Sequence, residues 1–133
     1  KSLNRFHIWI YEKYDGRFIG EYNGLPFCIM IVKGRKTGNM IKIALLTIPH
    51  GDDYILVASQ GGAKTNPLWY YNLRENPEIE MQVFSDHFKM RAFELSDEEK
   101  KEYWPMIVAA YSGYENYQKV TERSIPVFVC RKI

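Results

Sequence analysis

The stretch that decides the fold covers residues 25–48 and reads LPFCIMIV-KGRKTGN-MIKIALLTI. Residues 25–32 form a compact apolar run, and residues 40–48 alternate more loosely between apolar and polar side chains. Between them lies a basic turn (residues 33–39) that is bracketed by Gly34 and Gly38. Two apolar runs joined by a short glycine-containing turn are typical of a β-hairpin. The stretch therefore predicts two antiparallel strands with a positively charged tip.

Strand and helix patterns continue on both sides of this hairpin. Further strands are predicted over residues 54–59, 78–84, 87–95 and 125–130. Helices are predicted over residues 1–14, 67–75, 96–111 and 113 to about 123. Turns are predicted at residues 49–53 and 85–86.

Local signals mark the ends of the helices. Ser96 and Glu99 have the spacing of a capping box. Asn66 suits an N-cap, and Pro67 suits the first helical position that follows it. Pro105 lies inside the third helix, where it predicts a kink or a local irregularity.

The order of these elements predicts one domain over residues 1–133, because no repeat, low-complexity tract or linker divides the chain. Mostly antiparallel strands with helices between the hairpins predict an α+β, mainly β architecture. We expect a small barrel of about six to seven strands, with about four short helices covering its openings. A long unbroken parallel sheet is not expected, since the first half lacks strand–helix–strand alternation.

The composition is globular, with many aromatic side chains. Hydrophobic residues make up 46% of the chain and charged residues 26%, and the net charge is only +2. Such a balance offers no broad electrostatic surface for nucleic acid, so no nucleic-acid partner is expected. Aromatic residues reach 15% and include ten tyrosines. Some of them are expected to line a ligand site or a partner surface, and an aromatic-rich core is the alternative.

The cysteines and histidines suggest no metal site. Cys28 and Cys130 lie in apolar stretches and are expected to be buried free thiols in a reducing compartment. His7, His50 and His87 lie in unrelated contexts that lack zinc spacing. No catalytic triad can be proposed from the residue order, so a cofactor is expected to carry any reaction.

Location is predicted from two absences in the sequence. No apolar run approaches the roughly 18 residues of a membrane span. The first residues also lack the pattern of a signal peptide. The cytoplasm is therefore the expected location, with peripheral membrane contact through the N-terminal helix as a further possibility.

The basic turn is the first of three segments that could carry chemistry. Its glycines can present backbone N–H groups, while Arg35 and Lys36 add full charges and Thr37 a hydroxyl. These groups could bind a phosphate or a carboxylate. A solvated hairpin tip is the simpler interpretation of the same residues.

The second and third segments are a glycine loop (residues 59–63, SQGGA) and a tyrosine wall (Tyr111, Tyr114 and Tyr117). Paired glycines before a helix allow a ligand to approach the backbone closely, although a simple turn is the alternative. Tyrosines three residues apart share one side of a helix, and a break at Gly113 would let them converge on a pocket. A tyrosine stripe that caps one end of the barrel is equally compatible with the pattern.

In this order the segments resemble the deazaflavin (coenzyme F-420)-dependent nitroreductase family of split β-barrel oxidoreductases. The matching segments are residues 7–11 (HIWIY), 15–20 (DGRFIG), 34–38 (GRKTG), 57–63 (VASQGGA), 66–73 (NPLWYYNL), 76–78 (NPE), 111–118 (YSGYENYQ) and 123–127 (RSIPV). No single segment is diagnostic, but together they are specific and span nearly the whole chain.

The resemblance implies a split barrel that binds the deazaflavin in a groove. It implies that Arg35, Lys36 and Thr37 hold the anionic tail of the cofactor. The linker and ring would lie against the glycine loop and the adjacent helix, that is, against Ser59, Gln60, Gly61, Gly62, Ala63 and Trp69. The tyrosine wall would form the substrate side. Many relatives have lysine where this chain has Gln60. The loss of that positive charge would weaken the binding of the anionic tail, and Lys64 could compensate.

The implied reaction is hydride transfer from the reduced deazaflavin to a small organic acceptor: a quinone, an enone or other activated alkene, or a nitroaromatic ring. Ser59 or a tyrosine hydroxyl would face the growing negative charge, and Tyr114 is the expected proton donor. Two alternatives remain at this point: a split barrel that binds FMN or a haem-type ligand, and a non-catalytic carrier of a fatty acid or other apolar ligand. A monomer and a homodimer are both compatible with the sequence.

Overall fold

The structure is a computed structural model that describes residues 2–133. Four α-helices are present: α1 (Ser2–Tyr14), α2 (Leu68–Glu75), α3 (Asp97–Ala110) and α4 (Gly113–Val120). The strands are β1 (Glu21–Tyr22), β2 (Leu25–Lys33), β3 (Met40–Leu46), β4 (Ile48–His50), β5 (Asp53–Val57), β6 (Glu78–Val83), β7 (Asp86–Glu94) and β8 (Val127–Lys132). A short 3-10 helix covers Gln60–Gly62. Lys1, the first residue of the predicted N-terminal helix, lies outside the described residues.

The strands form one antiparallel sheet in the order β1-β2-β6-β7-β8-β5-β4. The remaining strand, β3, lies outside this order and pairs with β2. The hairpin predicted from residues 25–48 is β2–β3, in which Phe27 is opposite Leu46 and Lys33 is opposite Met40. The predicted α+β split-barrel class is confirmed. The sheet has eight strands, compared with the six to seven expected. The number is higher because it includes two very short strands, β1 with two residues and β4 with three.

Both faces of the central strands are buried. Along β5, Leu56 contacts one hydrophobic cluster, while its neighbours Ile55 and Val57 contact another. Along β8, Phe128 belongs to the same cluster as Leu56, and Val129 belongs to the cluster of Ile55 and Val57. Side chains of a strand alternate between its two faces, so a sheet covered on both sides produces two cores. The second cluster includes residues of α3 and α4, and this packing holds α4 against the sheet.

Several local predictions are confirmed. Ser96 and Glu99 form the capping box of α3: the Ser96 hydroxyl accepts from the Glu99 N–H at 3.2 Å, and the Glu99 carboxylate accepts from the Ser96 N–H at 2.9 Å. Cys28 and Cys130 are buried free thiols. The kink or irregularity predicted at Pro105 is not among the confirmed predictions, because α3 continues through Pro105 without interruption.

Other local predictions need correction. Asn66 does not cap α2, because Arg123 engages its side-chain oxygen at 2.6 Å; Pro67 occupies the N-cap position instead. The β6–β7 turn consists of residues 84–85, one residue earlier than predicted, with Phe84 at a φ of 54°. Among the α1 side chains that the structure describes (residues 4–14), Tyr11 is fully buried, whereas Phe6 is 52% exposed. The Tyr11 hydroxyl explains this orientation, since it donates to the Phe27 carbonyl and accepts from the Phe84 N–H.

Within residues 2–133, no helix combines the length and the apolar character that crossing a membrane requires.

Candidate functional site

A cavity of about 370 Å³ opens between the glycine loop, the tyrosine wall and the β2–β3 hairpin. Its floor is apolar, with Leu45, Leu56 and Val57 among the lining residues. Predicted site residues supply much of the remaining lining: Ser59, Gln60, Gly61, Trp69, Tyr111, Tyr114 and Tyr117. The structure thus brings together two segments that lie about fifty residues apart in the chain.

The glycine loop has an unusual backbone. Gln60, Gly61 and Gly62 all have positive φ, at 45°, 63° and 81°. At Gly61 a β-carbon would meet nothing within 4 Å, so this position presents open backbone beside the cavity. At Gly62 a β-carbon would lie 2.5 Å from Cγ2 of Val120. Gly62 therefore serves the close packing of the loop on α4 and does not line the cavity.

Two side chains of the loop differ in what they bind. The Ser59 side chain is largely buried, and its hydroxyl has no hydrogen-bond partner among the described residues, which leaves it free for a ligand. Gln60 turns back onto its own loop, where its side-chain amide donates to the Thr65 carbonyl at 3.1 Å and to the Thr65 hydroxyl at 3.3 Å. The Gln60 amide is thus occupied within the loop.

The three phenols of the tyrosine wall converge as predicted. Tyr114 and Tyr117 lie on α4, whereas Tyr111 is the C-cap residue of α3. The Tyr111 and Tyr114 rings meet edge to face with centroids 4.9 Å apart, and the Tyr111 and Tyr117 hydroxyls lie 3.1 Å apart. Gly113 makes this possible, because a β-carbon there would lie 2.5 Å from Cζ of Tyr111.

The environment of the wall keeps Tyr111 and Tyr114 protonated. The hydrogen bond with Tyr117, followed by burial, raises the pKa of Tyr111 to about 12. Burial raises the pKa of Tyr114 further above the usual tyrosine range, and the proximity of Tyr111 and Tyr117 adds to this shift. Both groups are therefore neutral hydrogen-bond donors at physiological pH.

The basic turn lies beside the cavity without lining it. Asn72 of α2 is buried, and its side-chain oxygen accepts from the Arg35 backbone N–H at 3.1 Å and from the Arg35 guanidinium at 3.2 Å. Trp69, three residues earlier on α2, lines the cavity, and three helical residues span only about 4.5 Å along the axis. One turn of α2 therefore connects the basic turn to the cavity.

The other predicted tail-binding residues are placed less closely. Lys36 and Thr37 are exposed at the tip, and the Thr37 hydroxyl accepts from the Asn39 N–H at 3.2 Å.

Ala63, which was predicted to contact the linker and ring, does not line the cavity; its carbonyl accepts from Arg123 at 2.8 Å. Of the neighbouring aromatic residues on α2, Trp69 and Tyr70 are buried and Tyr71 is half-buried, with the Arg35 guanidinium 5.2 Å from the centre of its ring.

Comparison with known proteins places this site in a family. The sequence model of the family described as F420H(2)-dependent quinone reductase matches residues 3–132. The chain belongs to this F420H(2)-dependent quinone reductase family.

Individual relatives agree with the family match. F420H(2)-dependent quinone reductase Rv1261c of Mycobacterium tuberculosis is 34% identical over 132 residues, which cover 96% of this chain and 89% of that protein. Rv3178 of the same organism is 37% identical over 107 residues, or 80% of this chain and 90% of that protein. A solved F420-H2 dependent reductase, FDR-A, superimposes with a TM-score of 0.73 at 34% identity, covering 80% of this chain and 94% of that one.

Family membership makes the chain an oxidoreductase that uses coenzyme F420, and it confirms the deazaflavin prediction over FMN, a haem-type ligand or an apolar cargo. The residues fit such a cofactor. The apolar floor and Trp69 suit a flat ring system, and Arg35 and Lys36 offer cations beside the cavity for an anionic tail.

Sequence reasoning did not single out four residues of this site. Tyr22 and Phe27 line the cavity from the β1–β2 edge, Asn72 fixes the basic turn, and Arg123 binds the glycine loop. A polar residue within the aromatic run of α2 was the one available signal for Asn72. Tyr22 carries no local signal, because its place in the cavity depends on packing against the distant Tyr111 ring. Phe27 is one apolar residue in a strand of apolar residues, and nothing nearby in the sequence marks it.

Proposed function

We propose that this chain transfers a hydride from reduced coenzyme F420 to a quinone that is bound in the cavity between the glycine loop and the tyrosine wall. One observation carries the proposal: an apolar cavity is bounded on one side by the Ser59 hydroxyl, which has no partner among the residues described, and on the other by the neutral phenols of Tyr111 and Tyr114. Flat apolar walls suit a quinone, and hydrogen-bond donors suit its oxygens.

When it is bound, reduced F420 supplies the hydride. The chain's own contribution is to position the two partners and to stabilise charge. A quinone that accepts a hydride gains negative charge on an oxygen, which then takes up a proton. The Tyr114 hydroxyl, protonated and without a protein partner among the described residues, is placed to donate a hydrogen bond to that oxygen. Ser59 can do the same from the opposite wall.

The tail of the cofactor would extend from the cavity along α2 to the basic turn. Arg35 is held in place there by Asn72, so its guanidinium loses little freedom when it binds an anion. Lys36 is exposed and free to add a second charge. Lys64, the residue directly after the glycine loop in the sequence, is also exposed and would supply the charge that Gln60 lacks.

A quinone is favoured over an activated alkene or a nitroaromatic ring as the acceptor, because the family and its relatives are named for quinone reduction. The test is to mix reduced F420, the protein and a soluble quinone and to follow the return of the oxidised-cofactor absorbance. Protein-dependent oxidation is expected only when the quinone is present. Oxidation at the rate of the protein-free mixture would refute the proposal.

The role of Tyr114 has a separate test. Tyr114→Phe removes one charge-stabilising donor, so kcat should fall by about 100-fold while the affinity for F420 stays within a few-fold. Tyr103→Phe is the control, since Tyr103 packs in the same hydrophobic cluster but does not line the cavity. Unchanged turnover in Tyr114→Phe would reject this residue as the donor.

We also propose that the chain assembles as a homodimer. A solved structure described as a domain-swapped dimer superimposes with a TM-score of 0.73 at 31% identity, covering 94% of this chain and 98% of that one. Exposed hydrophobic side chains, among them Tyr22 and Met40, leave apolar surface for a partner. Light scattering after size-exclusion chromatography should give twice the mass of the 15.7 kDa chain; the mass of one chain would refute the dimer.

A further inference from the structure

Arg123 makes an unusual set of contacts with the glycine loop. Its guanidinium donates to the carbonyls of Ser59 at 2.7 Å, Ala63 at 2.8 Å and Ala58 at 3.2 Å. It also donates to the side-chain oxygen of Asn66 at 2.6 Å. One side chain thus binds four oxygens that flank the three residues with positive φ.

These acceptors are all uncharged. Among residues 2–133, no carboxylate lies within ion-pair distance of Arg123. Burial lowers the pKa of the Arg123 guanidinium, which is the direction expected for a charge that is removed from water without a counter-ion. Arg123 is half-buried, and four neutral acceptors hold its guanidinium in one orientation, so this contact set favours a role in placing the loop.

The position of Arg123 in the chain connects the two walls of the cavity. It lies in the link between α4, which carries Tyr114 and Tyr117, and β8. The Arg123 carbonyl accepts from the Gln118 side chain of α4 at 2.8 Å, while its guanidinium binds the loop that carries Ser59. A single residue therefore couples the Ser59 side of the cavity to the tyrosine side.

We propose that Arg123 is a positioning residue for hydride transfer: its guanidinium sets the placement of Ser59 and Gly61 relative to the tyrosine wall. This inference rests on the proposed function. The planar fork of arginine can satisfy several carbonyls in fixed directions, which the single ammonium of lysine cannot reproduce. A displacement of about 1 Å in a reacting pair can cost about 100-fold in rate, so the effect belongs mainly to kcat.

The test compares Arg123→Ala and Arg123→Lys with the wild type, using reduced F420 and a soluble quinone. We expect kcat to fall by about 100-fold in Arg123→Ala and by about 10-fold in Arg123→Lys. F420 affinity, followed by the fluorescence of the deazaflavin, should change by only a few-fold, because the basic turn is untouched. Arg131→Ala is the matched control, since Arg131 is an exposed arginine whose partner is Asp53.

Chemical rescue distinguishes positioning from a structural role. Guanidinium chloride at tens of millimolar should restore much of the kcat of Arg123→Ala, whereas methylammonium chloride at the same concentration should not. A variant that is merely less stable would lose activity further in guanidinium. The proposal is overturned if kcat of the folded Arg123→Ala protein stays within twofold of wild type, or if guanidinium restores nothing.

The same data separate this inference from the proposed function. Wild-type protein that does not oxidise reduced F420 with a quinone contradicts the function itself. Active wild type with an Arg123→Ala protein of unchanged kcat contradicts only the positioning role. Should Arg123→Ala not fold, Arg123→Lys decides: a kcat within twofold of wild type overturns the proposal, and a drop of about 10-fold supports it.

Discussion

At the scale of single residues, the chemistry of the site depends on keeping its phenols protonated. An ordinary tyrosine titrates near pH 10, whereas the pKa of Tyr111 is about 12 and that of Tyr114 is raised further. Both are weak acids, so they act as hydrogen-bond donors over the whole physiological range. Their role as donors ends only where they ionise.

This difference predicts the pH dependence of turnover. We expect kcat to show no loss with a midpoint at or below pH 10, since Tyr111 and Tyr114 are still neutral there. The measurement is kcat between pH 7 and 11 alongside a spectroscopic titration of the tyrosines, in which Tyr111 and Tyr114 should remain protonated at pH 10. A kcat midpoint near pH 9 would contradict the assignment of the wall as the donor group.

The same shifts affect stability. Between about pH 10 and pH 12 the native protein holds protons on Tyr11 and Tyr111 that the unfolded chain has released. The free energy of unfolding must therefore be greatest below pH 10 and fall as the pH rises toward 12. Chemical denaturation at pH 8 and pH 11 checks this sign, and a higher midpoint at pH 11 would contradict it.

Single residues also show where sequence reasoning reaches its limit. Tyr111, Tyr114 and Tyr117 could be predicted as one wall because their three-residue spacing and the break at Gly113 are both visible in the sequence. Arg123 could not be assigned a role in the same way, because its acceptors lie 57 to 65 positions away. Asn66 was predicted as a cap from its local context, but the contact with Arg123 outweighs that preference.

At the scale of elements, the basic turn and the cavity are separate features joined by α2. If the turn holds the cofactor tail, Arg35→Ala combined with Lys36→Ala should weaken F420 binding by at least tenfold at low salt and by less at high salt. A deazaflavin without the phosphate-and-glutamate tail should bind the wild type and the double variant with equal affinity. An equal loss of affinity for F420 and for the tail-less deazaflavin would mean that the double variant disturbs the cavity and not the contact with the tail.

The start of α4 makes a second prediction at this scale. In Gly113→Ala, the new β-carbon would lie within 2.7 Å of the Tyr111 hydroxyl, so the ring must rotate away. The KM for the quinone should rise by several-fold while F420 affinity remains unchanged. Ser112→Ala is the control, because the Ser112 side chain makes no capping hydrogen bond. An unaltered KM in Gly113→Ala would remove Tyr111 from the acceptor site.

Elements were easier to predict than their ends. The β2–β3 hairpin and the capping box of α3 follow from patterns a few residues long. The last strand shifts to Val127–Lys132, and α4 ends at Val120, because strand pairing and contacts with the glycine loop set those ends. The positions of β1 and β4 depend on edge pairing alone, which leaves little local pattern.

At the scale of the whole molecule, an exposed aromatic surface has no part in the proposed site. An aromatic patch on and after α1 (Phe6, Trp9 and Phe18) is just over half exposed, and Lys13 lies 5.0 Å from the Trp9 ring. Aromatic and basic residues side by side suit the interface of an anionic membrane. Peripheral membrane contact through this helix stays a prediction.

That prediction can be checked by cosedimentation with vesicles that contain anionic lipid. Trp9→Ser should reduce the bound fraction several-fold, since an aromatic side chain on the apolar face is lost. Phe93→Ser is the control, because Phe93 is similarly exposed on β7, away from the patch. If the wild type and both variants remain in solution, the patch has another purpose.

The central claim is that one groove holds both the tail of F420 at the basic turn and its ring at the glycine loop. A crystal structure of the protein with oxidised F420 tests this most directly. The account predicts tail oxygens in contact with Arg35 or Lys36, and the ring within van der Waals distance of Gly61 and the tyrosine wall. A ring bound outside this cavity, or a tail directed away from α2, would contradict it.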